Sequence, residues 1–115
     1  MEILDYGADT GRTIEAYGSV GLTAKAVVRA DNLAVTVLRV AAGGEVGRHP
    51  APVGQLMLLT EGSGSVRSGD GEWRTVVAGQ GVMWQPGEEH TTRAAEDLTL
   101  VVLEMDGLEP AVSGR

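Results

Sequence analysis

The stretch GGEVGRHPAPVGQLMLLTEG, residues 43–62, decides the fold. Its first half sets Gly43, Gly44, Gly47, Pro50 and Pro52 around His49. Proline lacks a backbone donor and is poorly tolerated in a central strand, so residues 41–53 read as an irregular or edge segment. Its second half reads as a strand from Gln55 to Thr60. There Gln55, Met57 and Leu59 share one face, and Leu56 and Leu58 share the other. Glu61-Gly62 ends it. A second stretch, GQGVMWQPGEEHTTRA, residues 79–94, has a related pattern. A Gly79-Gln80-Gly81 turn precedes a short strand over 82–85, a Pro86-Gly87 turn follows, and His90 comes next. His49 and His90 are the only two histidines of the chain.

Working outward, the rest of the sequence repeats short strands and tight turns. Leu22, Ala24, Ala26 and Val28 alternate with a strand period. Asp31-Asn32 turns the chain, and residues 33–40 are apolar on both faces. Residues 63–67 and 72–77 flank Gly69-Asp70-Gly71, a strong hairpin signal. Residues 91–94 extend a strand, and 98–105 form the last long one. No segment of ten residues carries a helical period. About eight strands at this spacing predict a sandwich or barrel. The organisation predicted is an N-terminal arm or edge strand over 1–19, one barrel over 20–107 and a tail over 108–115.

The chain has 115 residues, enough for one domain with its own core. It has no cysteine, so neither thiol chemistry nor a disulfide framework is available. The net charge is -7, with nine basic residues spread along the chain. Nucleic acid and anionic membrane surfaces, which need clustered Lys and Arg, are excluded as expected partners. Residues 1–9 lack the basic start and apolar run of a signal peptide, and the longest apolar run, 98–103, is too short to span a bilayer. The expectation is a cytoplasmic protein.

The spacing around the histidines is the most specific signal. The first stretch runs Gly43, five residues, His49, one residue, Ala51, three residues, Gln55, six residues, Gly62. The second runs Gly79, five residues, Gln85, Pro86, Gly87, two residues, His90, three residues, Ala94, and 16 residues separate the two. This resembles the paired motifs of the cupin superfamily. The first family motif is Gly, five residues, His-x-His, three or four residues, Glu, six residues, Gly. The second is Gly, five residues, Pro-x-Gly, two residues, His, three residues, Asn. The resemblance implies an all-β, double-stranded β-helix (jelly-roll) barrel closed around a pocket.

The same resemblance puts the family's four metal ligands at His49, Ala51, Gln55 and His90. Ala51 cannot coordinate, and Gln55 offers an amide oxygen without charge. A divalent ion would keep its full charge in a largely apolar cavity, which is costly. Imidazole suits Fe, Mn, Ni, Cu or Zn to differing degrees, but a neutral amide is a poor third ligand. The expected metal set is therefore His49, Gln55 and His90, holding a divalent transition ion weakly if at all. Without metal, the two imidazoles either line a wet pocket, act as acid and base near neutral pH, or simply pack. The predicted pocket comprises His49, Gln55, Met57, Met83, Gln85 and His90. Trp84 is expected to point away, into the core or an interface. Glu88 and Glu89 read as a solvated turn, from which one carboxylate could reach the pocket mouth. Arg48 and Arg93 are expected to face outward.

Two function classes follow. One is a barrel that binds a small organic ligand, with a degenerate metal site. The other is a metal-dependent enzyme, a dioxygenase, isomerase or cyclase, using His49 and His90. The residues leave the choice open. Residues 55–59 and 98–103 also carry more apolar surface than one interior face needs, which predicts a homodimer.

Overall fold

The computed structural model describes residues 1–112. Among them are nine strands: β1 (Arg12–Ile14), β2 (Val20–Arg29), β3 (Leu33–Pro50), β4 (Gln55–Glu61), β5 (Ser63–Ser68), β6 (Arg74–Val77), β7 (Gly81–Trp84), β8 (Glu89–Ala94) and β9 (Leu98–Met105). All pairings are antiparallel, in the order β6-β5-β8-β3-β9-β4-β7, with β2 on β3 and β1 on β2. The sheet curls into the expected jelly-roll barrel. No helix of the described residues is long and apolar enough to cross a membrane. Residues 113–115 of the predicted 108–115 tail lie outside the described residues.

The largest departure from the sequence reading is β3. Of the segment 41–53 expected to be irregular or an edge, residues 41–50 are instead the second half of an 18-residue strand, and only 51–53 are irregular. Residues 33–40 pair with β9, and residues 45–50 pair with β8. One strand thus serves both walls of the barrel, and the glycines make the corner. Gly43 adopts φ +81°, a left-handed conformation that favours glycine. A Cβ on Gly44 would strike the Val20 carbonyl. The glycines therefore bend the strand without ending it, as bulges do. Pro50 sits at the strand's last position, where a missing donor costs little.

The 1–19 segment contains β1, which pairs with Leu22 to Ala24 of β2. The predicted strand over 72–77 begins only at Arg74, just after Trp73, whose ring packs against two guanidiniums. Arg67 and Arg93 lie 4.8 and 4.2 Å from its ring centre. The core follows the predicted alternation. Val40, Leu59, Leu98 and Leu100 are almost wholly buried, and Val46, Met57 and Val102 continue their rows.

Candidate functional site

A cavity of about 220 Å³ opens between the two walls of the barrel. One end is apolar, with Leu22, Leu38 and Val46 among its lining. The other end holds His49, His90, Gln55 and Glu104.

Strand register explains why these groups meet. His49 and His90 are directly opposed on β3 and β8, so both point to the same face. Their ring centres are 4.5 Å apart. Each ring's Nδ1 lies against a backbone carbonyl, Gly47 O at 2.7 Å and Glu88 O at 3.1 Å. A carbonyl only accepts, so Nδ1 is the donor in each ring, and in the neutral ring Nε2 is then the acceptor. His90 is 2% exposed, and burial pushes its pKa down from the ordinary histidine value, with the neighbouring His49 adding to the effect.

The pair is extended into a column of four rings. Tyr17 stacks on His49 with centres 4.8 Å apart, and Trp84 stacks on His90 at 4.6 Å. Tyr17 comes from the short turn Ala16–Gly18 and is 66% exposed, so it stands at the cavity mouth. Its backbone is left-handed, φ 60°, a strained conformation for a tyrosine. Two features of the turn's contact with β3 hold it there. Gly47 has no Cβ, which would otherwise collide with the Tyr17 carbonyl. The Gly47 N–H donates to Ser19 Oγ at 2.9 Å.

Gln55 is 6% exposed and lies opposite Glu104 in the β4–β9 register. Its Nε2 donates to Glu104 Oε1 at 3.1 Å, which orients the amide and leaves Gln55 Oε1 as an acceptor. Met57 lies behind them, opposite Val102, and accepts a long hydrogen bond from Thr92 Oγ1 at 3.9 Å.

Of the six predicted pocket residues, His49, Gln55, Met57 and His90 come together in the cavity. Met83 and Gln85 do not line it, and Gln85 is exposed. The reason is register. Trp84 opposes Gln55, so it shares Gln55's inward face, and its neighbours Met83 and Gln85 point out. Trp84 therefore belongs to the core as expected but stands against the site. Neither turn glutamate reaches the cavity. Glu88 accepts from the Gln85 N–H and the Ser68 hydroxyl, while Glu89 pairs with Arg48. Arg48 and Arg93 are exposed and ion-paired, as predicted for outward residues.

Two residues in direct contact with the predicted site residues, Tyr17 and Glu104, escaped the sequence reading. Glu104 had a signal: Leu98, Leu100, Val102 and Glu104 form one alternating row, and a carboxylate that ends an inward row faces the interior. Tyr17 had none, because its contact with His49 depends on a turn packed against a distant strand.

The sequence profile of the Cupin domain family matches residues 36–106. The chain belongs to the cupin family. Solved cupin structures share its fold. A cupin-like protein of Thermotoga maritima is 20% identical over 96% of this chain and 86% of that one, with a TM-score of 0.76. A Cupin 2 conserved barrel domain protein of Salinispora arenicola is 21% identical over 92% and 89%, with a TM-score of 0.75. A predicted oxalate decarboxylase of Thermotoga maritima is 16% identical over 82% and 89%, with a TM-score of 0.74. No curated protein matches the chain.

In this cupin the donor set does not fit a resident metal ion. Among the described residues, no three His, Cys, Asp or Glu side chains are grouped so as to hold one. At the family's ligand positions the two histidines are joined only by the neutral amide of Gln55, a weak ligand, and Glu104 is not grouped closely enough with both rings to complete a set. Ala51 is buried, and its backbone is tied to Gly87 and Glu88, so that position adds packing and no donor.

Proposed function

We propose that this cupin binds a small organic molecule in the cavity, with His49, His90, Gln55 and Glu104 orienting it and any divalent ion held only weakly. One observation carries this reading. A largely apolar cavity with a few convergent polar groups at one end has the form of a small-molecule site. Its volume also suits one. A dry cavity of about 150 Å³ admits a benzene ring, and this one is about 220 Å³.

Metal analysis of protein purified without a metal-affinity column tests the proposal. The expected content of Fe, Mn, Ni, Cu and Zn is far below one ion per chain. A near-stoichiometric ion that is lost in His49→Ala/His90→Ala would overturn the degenerate-site reading and favour a metal-dependent enzyme.

A further inference from the structure

The polar lining of the cavity offers two imidazoles, an amide oxygen and a carboxylate as acceptors, and no cationic donor. His49 Nε2 and His90 Nε2 carry lone pairs, since both Nδ1 protons are given to backbone carbonyls. Gln55 gives one of its two amide N–H groups to Glu104, and its oxygen is unpaired. Glu104 adds a carboxylate, with only one of its oxygens bonded among the described residues. No Lys or Arg lines the cavity.

We infer that the cavity selects a molecule with an apolar body and a primary ammonium group, and rejects carboxylates. The inference rests on the ligand-binding reading above and names its chemical class. An ammonium has three donors and no acceptor, so it matches the free acceptors of the adjacent Glu104 and Gln55 and has a donor left for a further acceptor of the lining. Its hydrogen bond to a carboxylate is charge-assisted, roughly twice as strong as a neutral one. A carboxylate in the same place would face lone pairs and the charge of Glu104, with no cation to offset them. Burying an unpaired charge is costly. A neutral hydroxyl has a single donor and falls between the two. The apolar body would occupy the end lined by Leu22, Leu38 and Val46.

The test uses three probes of one shape: benzylamine, benzyl alcohol and benzoate. Each is titrated into the full chain by calorimetry at neutral pH, low salt and with chelator present. Benzylamine is expected to bind about tenfold more tightly than benzyl alcohol, and benzoate more weakly than either. In Glu104→Gln, where the amide oxygen still accepts from Gln55, the ratio of amine to alcohol affinity should fall to within about twofold. A second measurement needs no variant. Raising the pH above the amine's own pKa should erase the same advantage. If benzyl alcohol binds but benzoate equals or exceeds benzylamine, this inference falls and the ligand cavity stands. An amine advantage unchanged in Glu104→Gln and at high pH also overturns it. If none of the three binds at millimolar concentration, the ligand-cavity reading falls, and this inference with it.

Discussion

Gln55→Glu reads the chemistry of the site directly. The substitution removes the N–H that Glu104 accepts at 3.1 Å and sets a second carboxylate in its place. Two unit charges at that separation repel by about 5 kcal/mol at an effective dielectric of 20. Glu104 is half-buried, and water screens the pair to roughly half of that, about 2–3 kcal/mol. The lost charge-assisted hydrogen bond adds about 1.5 kcal/mol. The variant should therefore be about 4 kcal/mol less stable than the wild type at about pH 8, where both carboxylates are charged. In acid the two share one proton, and an O–H donor replaces the lost N–H. The penalty should then shrink to roughly 1 kcal/mol at about pH 5. The sign follows from linkage. The folded variant holds a proton that its unfolded chain releases, so stability is present at low pH and lost as pH rises. For a domain of this size each kcal/mol moves the melting temperature by about 4 °C. Calorimetric scans with chelator should show a gap between wild type and variant of roughly 15 °C at high pH and a few degrees at low pH. Added Zn²⁺ or Mn²⁺ should narrow the high-pH gap, because a cation offsets the paired charges. A gap equal at both pH values, or wider in acid, would refute the Gln55–Glu104 geometry.

The other predictions concern the mouth, the buried histidine and the outer wall. Gly47→Ala puts a methyl group into the Tyr17 carbonyl, so the Ala16–Gly18 turn must move and the Ser19 hydrogen bond is lost. After relief of the left-handed strain at Tyr17, the net loss is about 2 kcal/mol, seen as a lower melting temperature and faster chemical modification of His49; unchanged stability with Tyr17 still stacked in the proton spectrum would contradict it. His90 has a lowered pKa in the folded state, so it supports folding above the ordinary histidine value and that support is lost as pH falls through its folded value. Urea unfolding across mildly acidic pH should therefore be less pH-dependent in His90→Phe than in the wild type, and equal slopes would rule this out. On the outer wall Leu56 opposes Leu103 and Leu58 opposes Val101, with Leu58 37% exposed. Sedimentation at micromolar concentration is expected to give twice the 12.0 kDa chain mass, with Leu58→Glu returning it to the monomer; a wild type at 12.0 kDa alone would end the dimer proposal.

What the sequence made legible was periodicity and spacing. The alternation of residues 98–105 set both the last strand and its inward row, and the motif register brought His49 and His90 to one face before any coordinates were known. The failures share a cause: each turned on how a strand pairs rather than on what it contains. Residues 41–50 carry every local mark of a loop, yet they continue β3 and its last six residues pair with β8, since the glycines absorb a corner that only the closed barrel requires. Met83 and Gln85 point outward, against the sequence expectation, because nothing in the sequence of a four-residue strand bounded by glycine turns fixes its parity. The partner strand fixes it, through Gln55 opposite Trp84. The same dependence shaped the chemistry. A carboxylate was sought at the family's ligand position and on the turn before His90, whereas the barrel supplies it from β9, where Glu104 faces Gln55. That displacement matters more than a simple loss of ligands. A glutamate at position 55 would bring negative charge to the two imidazoles as a metal ligand. At 104, bonded through a neutral amide, the carboxylate lines the cavity as an acceptor, and the proposed preference for donor-bearing molecules over metal ions rests on that displacement.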